Sequence, residues 1–319
     1  MTSTNCTRVS APAFTVPNSN LVSHETYDQA PLNSSERGIC EGGDTGTTTK
    51  NTSKFMKCKR CIYSTFNSRT LSKTSRKQEL LLRSKQNKID ILSIQEHRYY
   101  HPDTTLNYTN LDSYQLITSS GTKNSQGSTQ GGVGILLSPK ASGNLLSVEK
   151  ISERIIIAEL NSNPRTTFIA CYCPTNVSDE KLVDDFYSDL KGVTESVPAH
   201  NFLVIAGDFN GQLGPDNALF TYNKATNRNG EKLTDFSEEF QLFITNTRFM
   251  KHPNRLWTFQ HPSGSRSQID YILVRNKWKN SVRDAQAYSS FSSVGSDHRV
   301  VSIHTVLSLR SSKSHHRIP

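Results

Sequence analysis

The sequence is poor in several features that would assign it to a familiar class. Cysteine occurs six times in 319 residues, at positions 6, 40, 58, 61, 171 and 173, too few and too unevenly spread for a disulfide framework. Reduced thiols are expected. Cys58-Lys59-Arg60-Cys61 has the spacing of a zinc knuckle, but four ligands are needed and no second pair of Cys or His follows at the usual interval, so zinc is not expected. Long apolar runs are also missing. Windows such as Phe202 to Ala206 and Ile155 to Leu160 fall far short of the roughly 20 residues of a membrane span. The first 30 residues have neither a basic start nor an apolar stretch, so no secretory signal is read and an intracellular protein is expected. Only 34% of residues are apolar, against roughly 45–50% in ordinary globular chains. Part of the chain should therefore lack a core, while about 250 residues remain to build one large core or two small ones. A peptide hormone or a disulfide-stapled mini-protein is excluded.

What is present is unevenly placed. The formal charge is +9, yet residues 1–53 carry a net of −2, are crowded with Ser and Thr and show no periodicity. They read as a disordered leader, since they cannot offset their ordering entropy by burial. Residues 54–88 hold eleven Lys and Arg against Glu79 alone, a net of +10, whereas residues 89–319 are nearly neutral at +1. A solvated helix face accounts for part of the basic block, because Leu80, Leu81 and Leu82 need a core and the lysines and arginines flank them. An electrostatic footprint for phosphate is the other reading.

Several short β-rich segments end in polar groups. Ile89 to Glu96 is an apolar run closing on a carboxylate. Phe202 to Asn210 does the same, with Gly207 allowing a close backbone approach beside Asp208. Gln268 to Val274 alternates around Asp270, and Ser296-Asp297-His298-Arg299 precedes the strand Val300 to Ile303. Thr167 to Asn176 is a strand with Tyr172 near its exit, and Ile62 to Asn67 ends in an amide. Such runs read as buried strands. An acid on a buried strand is costly unless it is paired, hydrogen-bonded or metal-bound. Any one of these could be a cap or a turn former, but six similar strand ends suggest a shared site.

The chemistry that suits the set is phosphodiester hydrolysis. Mg²⁺ takes oxygen ligands, commonly one or two carboxylates, and neutralises charge developing on phosphorus while another group aligns or deprotonates water. Imidazolium and amide donors stabilise the phosphate oxygens. A histidine held by an aspartate, as in a His298–Asp270 pair, would stay protonated for that purpose.

Taken in order, Ile94-Gln95-Glu96-His97-Arg98, Gly207-Asp208-Phe209-Asn210, Ile269-Asp270-Tyr271-Ile272-Leu273 and Ser296-Asp297-His298 resemble the motifs of the endonuclease/exonuclease/phosphatase superfamily, which has the fold of deoxyribonuclease I. The surrounding sequence is more closely similar to the apurinic-type endonuclease domain of non-LTR retrotransposons and its craniofacial-development-protein-2-like relatives. Thr226 to Gly230, Leu256 to Phe259 and the stretch from Val294 to Arg310 share in that likeness, which covers about residues 58–311. The resemblance implies an α/β (α+β) fold, a four-layered sandwich of two mainly antiparallel sheets flanked by helices. It implies Glu96 as the principal metal ligand, Asn67 beside it and Asp297 in or near the metal shell, with Mg²⁺ as the cofactor and Mn²⁺ as a substitute. Asp208 would orient or activate water, and Asn210 would contact the scissile phosphate. His298, oriented by Asp270, would bind a phosphate oxygen, and Tyr172 would support the phosphate or leaving group.

The expected organisation is a leader at 1–53, a catalytic domain at 54–311 and a basic tail at 312–319. Helices are predicted at Lys73–Lys88, Ser178–Thr194 and Leu233–Phe243, the second carrying Leu182, Phe186 and Leu190 on one face and Asp179 and Glu180 at its start. Gly131-Gly132-Val133-Gly134 precedes a strand and is not a nucleotide loop. The function expected is a Mg²⁺-dependent DNA endonuclease leaving a 3′-hydroxyl, monomeric and nuclear, with DNA as partner. A phosphoinositide or small-phosphoester phosphatase and a non-catalytic transposon-derived nucleic-acid-binding protein are the alternatives. The basic block and Trp257, read as able to stack on a base, favour nucleic acid. With the chain ending soon after His298, no reverse-transcriptase domain is expected in it.

Overall fold

The computed structural model describes residues 60–307. The leader, Cys58, the first residues of the basic block and the basic tail lie outside the described residues. Two sheets face one another. The first has seven strands in the order β16-β17-β1-β2-β7-β4-β3, and the second six, in the order β12-β15-β11-β10-β9-β8. In the first, β1 is Cys61–Asn67, β2 Ile91–Gln95, β3 Leu106–Leu111, β4 Tyr114–Ser119, β7 Val133–Leu137, β16 Val282–Tyr288 and β17 Val300–Thr305. In the second, β8 is Leu145–Ser152, β9 Ile155–Leu160, β10 Thr166–Tyr172, β11 Phe202–Asp208, β12 Leu242–Ile244 and β15 Asp270–Arg275. Two small hairpins complete the strands: β5 Thr122–Lys123 with β6 Thr129–Gln130, and β13 Phe259–Gln260 with β14 Arg266–Ser267.

The apolar runs exist because their strands are covered on both faces. In β11, Phe202, Val204 and Ala206 point into the core between the sheets, while Leu203 and Ile205 meet the outer helices. Such a strand has no polar face to alternate with. On that outer side lie α3 (Glu180–Ser196) and α4 (Arg228–Glu239), contributing Val183, Phe186, Leu190, Leu233 and Phe236. Helix α1 (Thr74–Gln86) covers the first sheet through Leu80, packed with Phe66, Leu92 and Ile94. A single-turn helix, α2 (Pro139–Ser142), follows β7. The result is the expected four-layered α/β sandwich of mainly antiparallel sheets. Among the described strands, only β1 with β2 and β10 with β11 run parallel, and each parallel pair is joined across a helix, α1 or α3, as parallel connections require.

Two helical expectations need correction. Leu182 does not lie on the buried face of α3. It is half-exposed, and the stripe is Val183, Phe186, Tyr187, Leu190 and Val193, one position later at helical spacing. The third helix does not run through Leu233–Phe243. It starts at Arg228, where the Asn227 side chain accepts from the backbone N–H of Gly230 at 2.8 Å, and Leu242–Ile244 is the edge strand β12. The Thr226 to Gly230 segment is thus a helix cap. Asp179 caps α3 as expected, accepting from Lys181 N at 2.9 Å. Gly131 and Gly132 lead into β7, both with positive φ. Cys61 is a core residue of β1, fully buried, and burial raises its thiol pKa well above the ordinary range.

Gly207 shows what the close approach requires. It pairs directly with Cys171, and a Cβ at this position would lie 2.2 Å from the Cys171 carbonyl oxygen. Gly207→Ala is therefore expected to lower stability by about 1–3 kcal/mol. Gly192, inside α3 with open space where a Cβ would go, should behave oppositely: Gly192→Ala is expected to raise stability by about 0.5–1 kcal/mol. Denaturant midpoints of the two variants check both signs.

Candidate active site

Strand register delivers the site. Asn67 ends β1 and Glu96 follows β2; Tyr172 ends β10 beside Asp208, which ends β11. Asp270 opens β15 directly opposite Asp208, and His298 stands just before β17. Each sheet thus presents polar groups where its central strands stop, at one place.

The contacts form a chain. The Asn67 amide donates to Glu96 Oε1 at 3.1 Å and to Asp208 Oδ2 at 3.0 Å, bridging the two sheets. Tyr172 donates its hydroxyl to Glu96 Oε1 at 2.7 Å, and Arg98 Nη2 lies 2.9 Å from Glu96 Oε2. Asp208 Oδ1 accepts from the backbone N–H of Asn210 at 2.9 Å. His298 Nδ1 lies 3.0 Å from Asp270 Oδ2, which leaves Nε2 4.0 Å from Asp208 Oδ2. Ser296 ties the halves together, donating to the Asn67 carbonyl at 2.6 Å and accepting from His298 N–H at 3.0 Å. Glu96 and Asn210 both have left-handed backbones, at φ 52° and 48°, an uncommon state for such residues. The Asn210 amide is anchored to the Cys173 carbonyl at 2.9 Å.

The charges are set by burial and by one another. Burial opposes ionisation of Glu96, but donation from Asn67, Tyr172 and Arg98 prevails and holds its pKa below the ordinary value. Asp208 is pushed the other way, to about 7, by burial and by the negative charge of Asp270. Like charges directly opposite on paired strands repel. Burial alone would lower the His298 pKa, but Asp270, through charge and hydrogen bond, and then Asp208 raise it to about 9. His97 is buried and neutral, its pKa lowered by burial to about 3, and its ring fills the space that a side chain at Gly132 would need.

Asn67, Glu96, Tyr172, Asp208, Asn210, Asp270 and His298 are thus brought together. Asp297 adjoins them: its carboxylate pairs with Arg69 at 3.1 Å, and it lines a cavity together with His298, Ser296, Trp257 and Arg299. Among the described residues, the cluster of His and acidic groups able to hold a metal ion is Asp208, Asp270 and His298, with ligand atoms within 4.8 Å of one another. Glu96 and Asn67 adjoin it through Asp208. Trp257 also needs correction. It is buried at 5% exposure, with the guanidinium carbons of Arg299 and Arg266 at 3.3 and 4.5 Å from its ring centroid, so it is packed against these arginines and is not an exposed stacking platform. Much of the basic block is engaged as well: Arg83 pairs with Glu79, Lys85 with Asp112, and Arg76 donates to the Thr70 and Gly295 carbonyls.

Arg98 and Ser296 touch the site and were given no role from sequence, although both lie inside quoted motifs. Arg154, from the turn between β8 and β9, had no sequence signal; only the fold sets it against Tyr172.

The chain is similar to several known proteins. Residues 166–302 match a family described as endonuclease-reverse transcriptase. Craniofacial development protein 2 of Bos taurus is 29% identical over 219 residues, covering 67% of this chain and 36% of that protein. The chain therefore spans about a third of the length of that relative. Among solved structures, the endonuclease domain of TRAS1, a telomere-specific non-LTR retrotransposon, aligns with a TM-score of 0.54 and 16% identity, over 78% of this chain and 99% of that one. The AP endonuclease LMAP of Leishmania major aligns with a TM-score of 0.61 and 13% identity, over 78% and 89% respectively. At these identities the structural likeness concerns the fold.

Both raised pKa values lead to one expectation for the metal-free protein. A raised pKa stabilises the fold below the unfolded value and loses that effect as pH rises through the folded value. Stability should thus decline from about pH 4 to 7 through Asp208 and from about 6.5 to 9 through His298. Denaturant midpoints measured against pH should show this fall. Asp208→Asn should flatten the lower part and His298→Gln the upper.

Proposed function

The resemblance to the endonuclease/exonuclease/phosphatase superfamily holds in sequence and in fold, and we propose that this chain is a divalent-metal-dependent DNA endonuclease. It would cut one phosphodiester of one strand, leaving a 3′-hydroxyl, and act as a monomer on nuclear DNA. The observation that supports this reading best is the unbroken set of contacts from Tyr172 through Glu96 and Asn67 to Asp208, with the Asp270-held His298 beside it.

The donor set suits a hard cation. The carboxylates of Glu96 and Asp208 converge on the Asn67 amide N–H groups, and the Asn67 amide oxygen accepts from the Arg69 N–H at 2.9 Å, while the nearby thiols of Cys171 and Cys173 are buried in the core beneath; carboxylate oxygen donors of this kind fit Mg²⁺, with Mn²⁺ as substitute. Bound there, the cation would offset the negative charge that develops on the phosphate. The rest follows from the chain's own groups. Asp208, with a pKa near neutrality, takes a proton from the attacking water. His298, protonated below about pH 9, donates from Nε2 to a phosphate oxygen, while Asp270 fixes the ring through Nδ1. This is electrostatic stabilisation by a donor already in place. Asn210, anchored through its N–H groups, presents its amide at the same point. The water oxygen bonds to phosphorus as the bond to the 3′ oxygen breaks, and that oxygen leaves as an alkoxide, supported by Tyr172, and takes a proton from solvent water to become the 3′-hydroxyl.

Nicking of supercoiled plasmid is the test. Mg²⁺ is expected to support nicking and EDTA to abolish it, while Asp208→Asn and His298→Ala lower the rate by about 10²–10⁴-fold. Metal-independent nicking, or variants as active as the wild type, would overturn the reading. Hydrolysis of a soluble inositol polyphosphate without DNA cleavage would replace it with phosphatase activity, and salt-sensitive DNA binding without nicking with a binding role.

A further inference from the structure

Past Ile244 the second sheet loses its outer strand. β12 pairs with β15 only from Leu242 to Ile244, opposite Arg275 to Leu273, and the chain then turns into a short 3₁₀ segment, Thr245–Thr247. The start of β15, from Asp270 to Ile272, therefore has β11 on one side and, among the described residues, no strand on the other. Asp270 and Ile272 are fully buried, and buried backbone groups must find partners. Two side chains supply them. The Asn246 amide donates to the Asp270 carbonyl at 3.0 Å and accepts from the Ile272 N–H at 3.3 Å, and the Thr245 hydroxyl donates to the Ile272 carbonyl at 2.7 Å. A side-chain amide offers the same kinds of donor and acceptor as a peptide group, so Asn246 takes the place of the missing strand.

The position it holds is a sensitive one. Asp270 stands directly opposite Asp208, with both carboxylates buried, and like charges across a strand pair repel. Any rotation of the strand end that separates the two carboxylates relieves that repulsion. The Asn246 bonds fall on either side of Tyr271 and pin both of its peptide groups, which removes this freedom. Asn246 is itself held, because its carbonyl accepts from Gln268 Nε2 at 3.2 Å. The clamp thus brackets Asp270, from Gln268 to Ile272. The carboxylate so fixed sets the histidine: Asp270 Oδ2 lies 3.0 Å from His298 Nδ1, and Nε2 is thereby turned towards Asp208.

We propose that Asn246 is a positioning residue of the site: its amide fixes the backbone at Asp270 and, through Asp270, the direction in which His298 presents Nε2. For its effect on cleavage this rests on the endonuclease reading above. Asn246 acts through the strand, since the bonds its amide makes are to backbone groups.

Two measurements test the role, and one of them needs no activity. The imidazole N–H that His298 directs at a buried carboxylate gives a downfield proton resonance, assigned by its loss in His298→Gln. In metal-free Asn246→Ala this resonance is expected to move upfield or to broaden through exchange with water. Val193→Ala, a truncation under α3 away from the site, should lower the denaturant midpoint and leave the resonance in place. The second measurement is cleavage of a duplex oligonucleotide with Mg²⁺. Asn246→Ala is expected to lower kcat about tenfold or more, the scale of a small misplacement of a reacting group, with KM kept within about twofold. In a His298→Ala background the same substitution should cost less than about twofold, because the group it positions is already gone. Asn246→Asp keeps the shape and the acceptor but, as a carboxylate, has no donor for the Asp270 carbonyl; it serves where Asn246→Ala does not fold, with the same expected losses. An unmoved His298 resonance, or equal fold losses in kcat with and without His298, would overturn the proposal and leave Asn246 a purely structural residue. Wild-type protein unable to cut DNA would overturn the endonuclease reading instead, and the resonance would still decide whether Asn246 sets His298.

Discussion

A carboxylate buried between two sheets, Asp208, must be satisfied on all sides, and the arrangement around it follows from that demand. It sits at 1% exposure at the end of β11, where an unpaired charge would be strongly unfavourable. Its own turn supplies one donor, the Asn210 N–H, and the opposite sheet supplies the other, the Asn67 amide. That second bond fixes how the sheets meet at this end. The buried Ser93 hydroxyl, donating from the first sheet to the Ala206 carbonyl at 2.8 Å, makes a second cross-sheet tie nearby. Asp270, directly opposite on β15, makes the problem harder, and His298 relieves it by presenting a cation to both acids. Glu96, Asp208 and His298 thus share one frame, held through Asn67 and Ser296.

How much of this the sequence revealed depends on the range of the interaction. Runs such as Phe202 to Ala206 were legible because a strand covered on both faces is apolar at every position, and the polar residue closing each run marked where the strands stop. Roles carried over from a resemblance fell on residues that the fold brings together, Asp297 standing at the margin, paired with Arg69 on a cavity that His298 and Ser296 also line. Helical phase was less secure. Leu182 and Val183 both fit an apolar step of four with their neighbours, and only packing against Ile169 and Leu203 selects Val183. Leu242–Ile244 continued the apolar pattern of α4, but pairing with β15 made it a strand. Trp257 and Arg154 depend wholly on tertiary placement. Nothing local to Trp257 indicates two guanidiniums on its ring, and nothing near Arg154 indicates Tyr172.

The charge distribution acquires a different meaning once partners are known. A net of +10 over residues 54–88 suggested a surface for phosphate, yet several of its described members hold α1 to its surroundings through ion pairs and carbonyl contacts. The nearly neutral body, in contrast, contains Arg154, which forms no ion pair among the described residues. Formal charge counts residues, whereas a ligand meets only those left uncompensated.

The bond between Ser296 and Asn67 joins residues 229 positions apart, and the contacts that join one strand end to another, such as Asn67 to Asp208 and Tyr172 to Glu96, likewise link segments distant in sequence. Contacts of that separation form late, because the intervening chain must be ordered before they are rewarded. The cluster therefore has no local precursor. A helix or hairpin formed early in folding contains at most one or two of its members, and a partly folded chain with one sheet complete still lacks either Asn67 or Asp208. The constellation is thereby confined to the finished fold, and no partly folded chain holds all of its members.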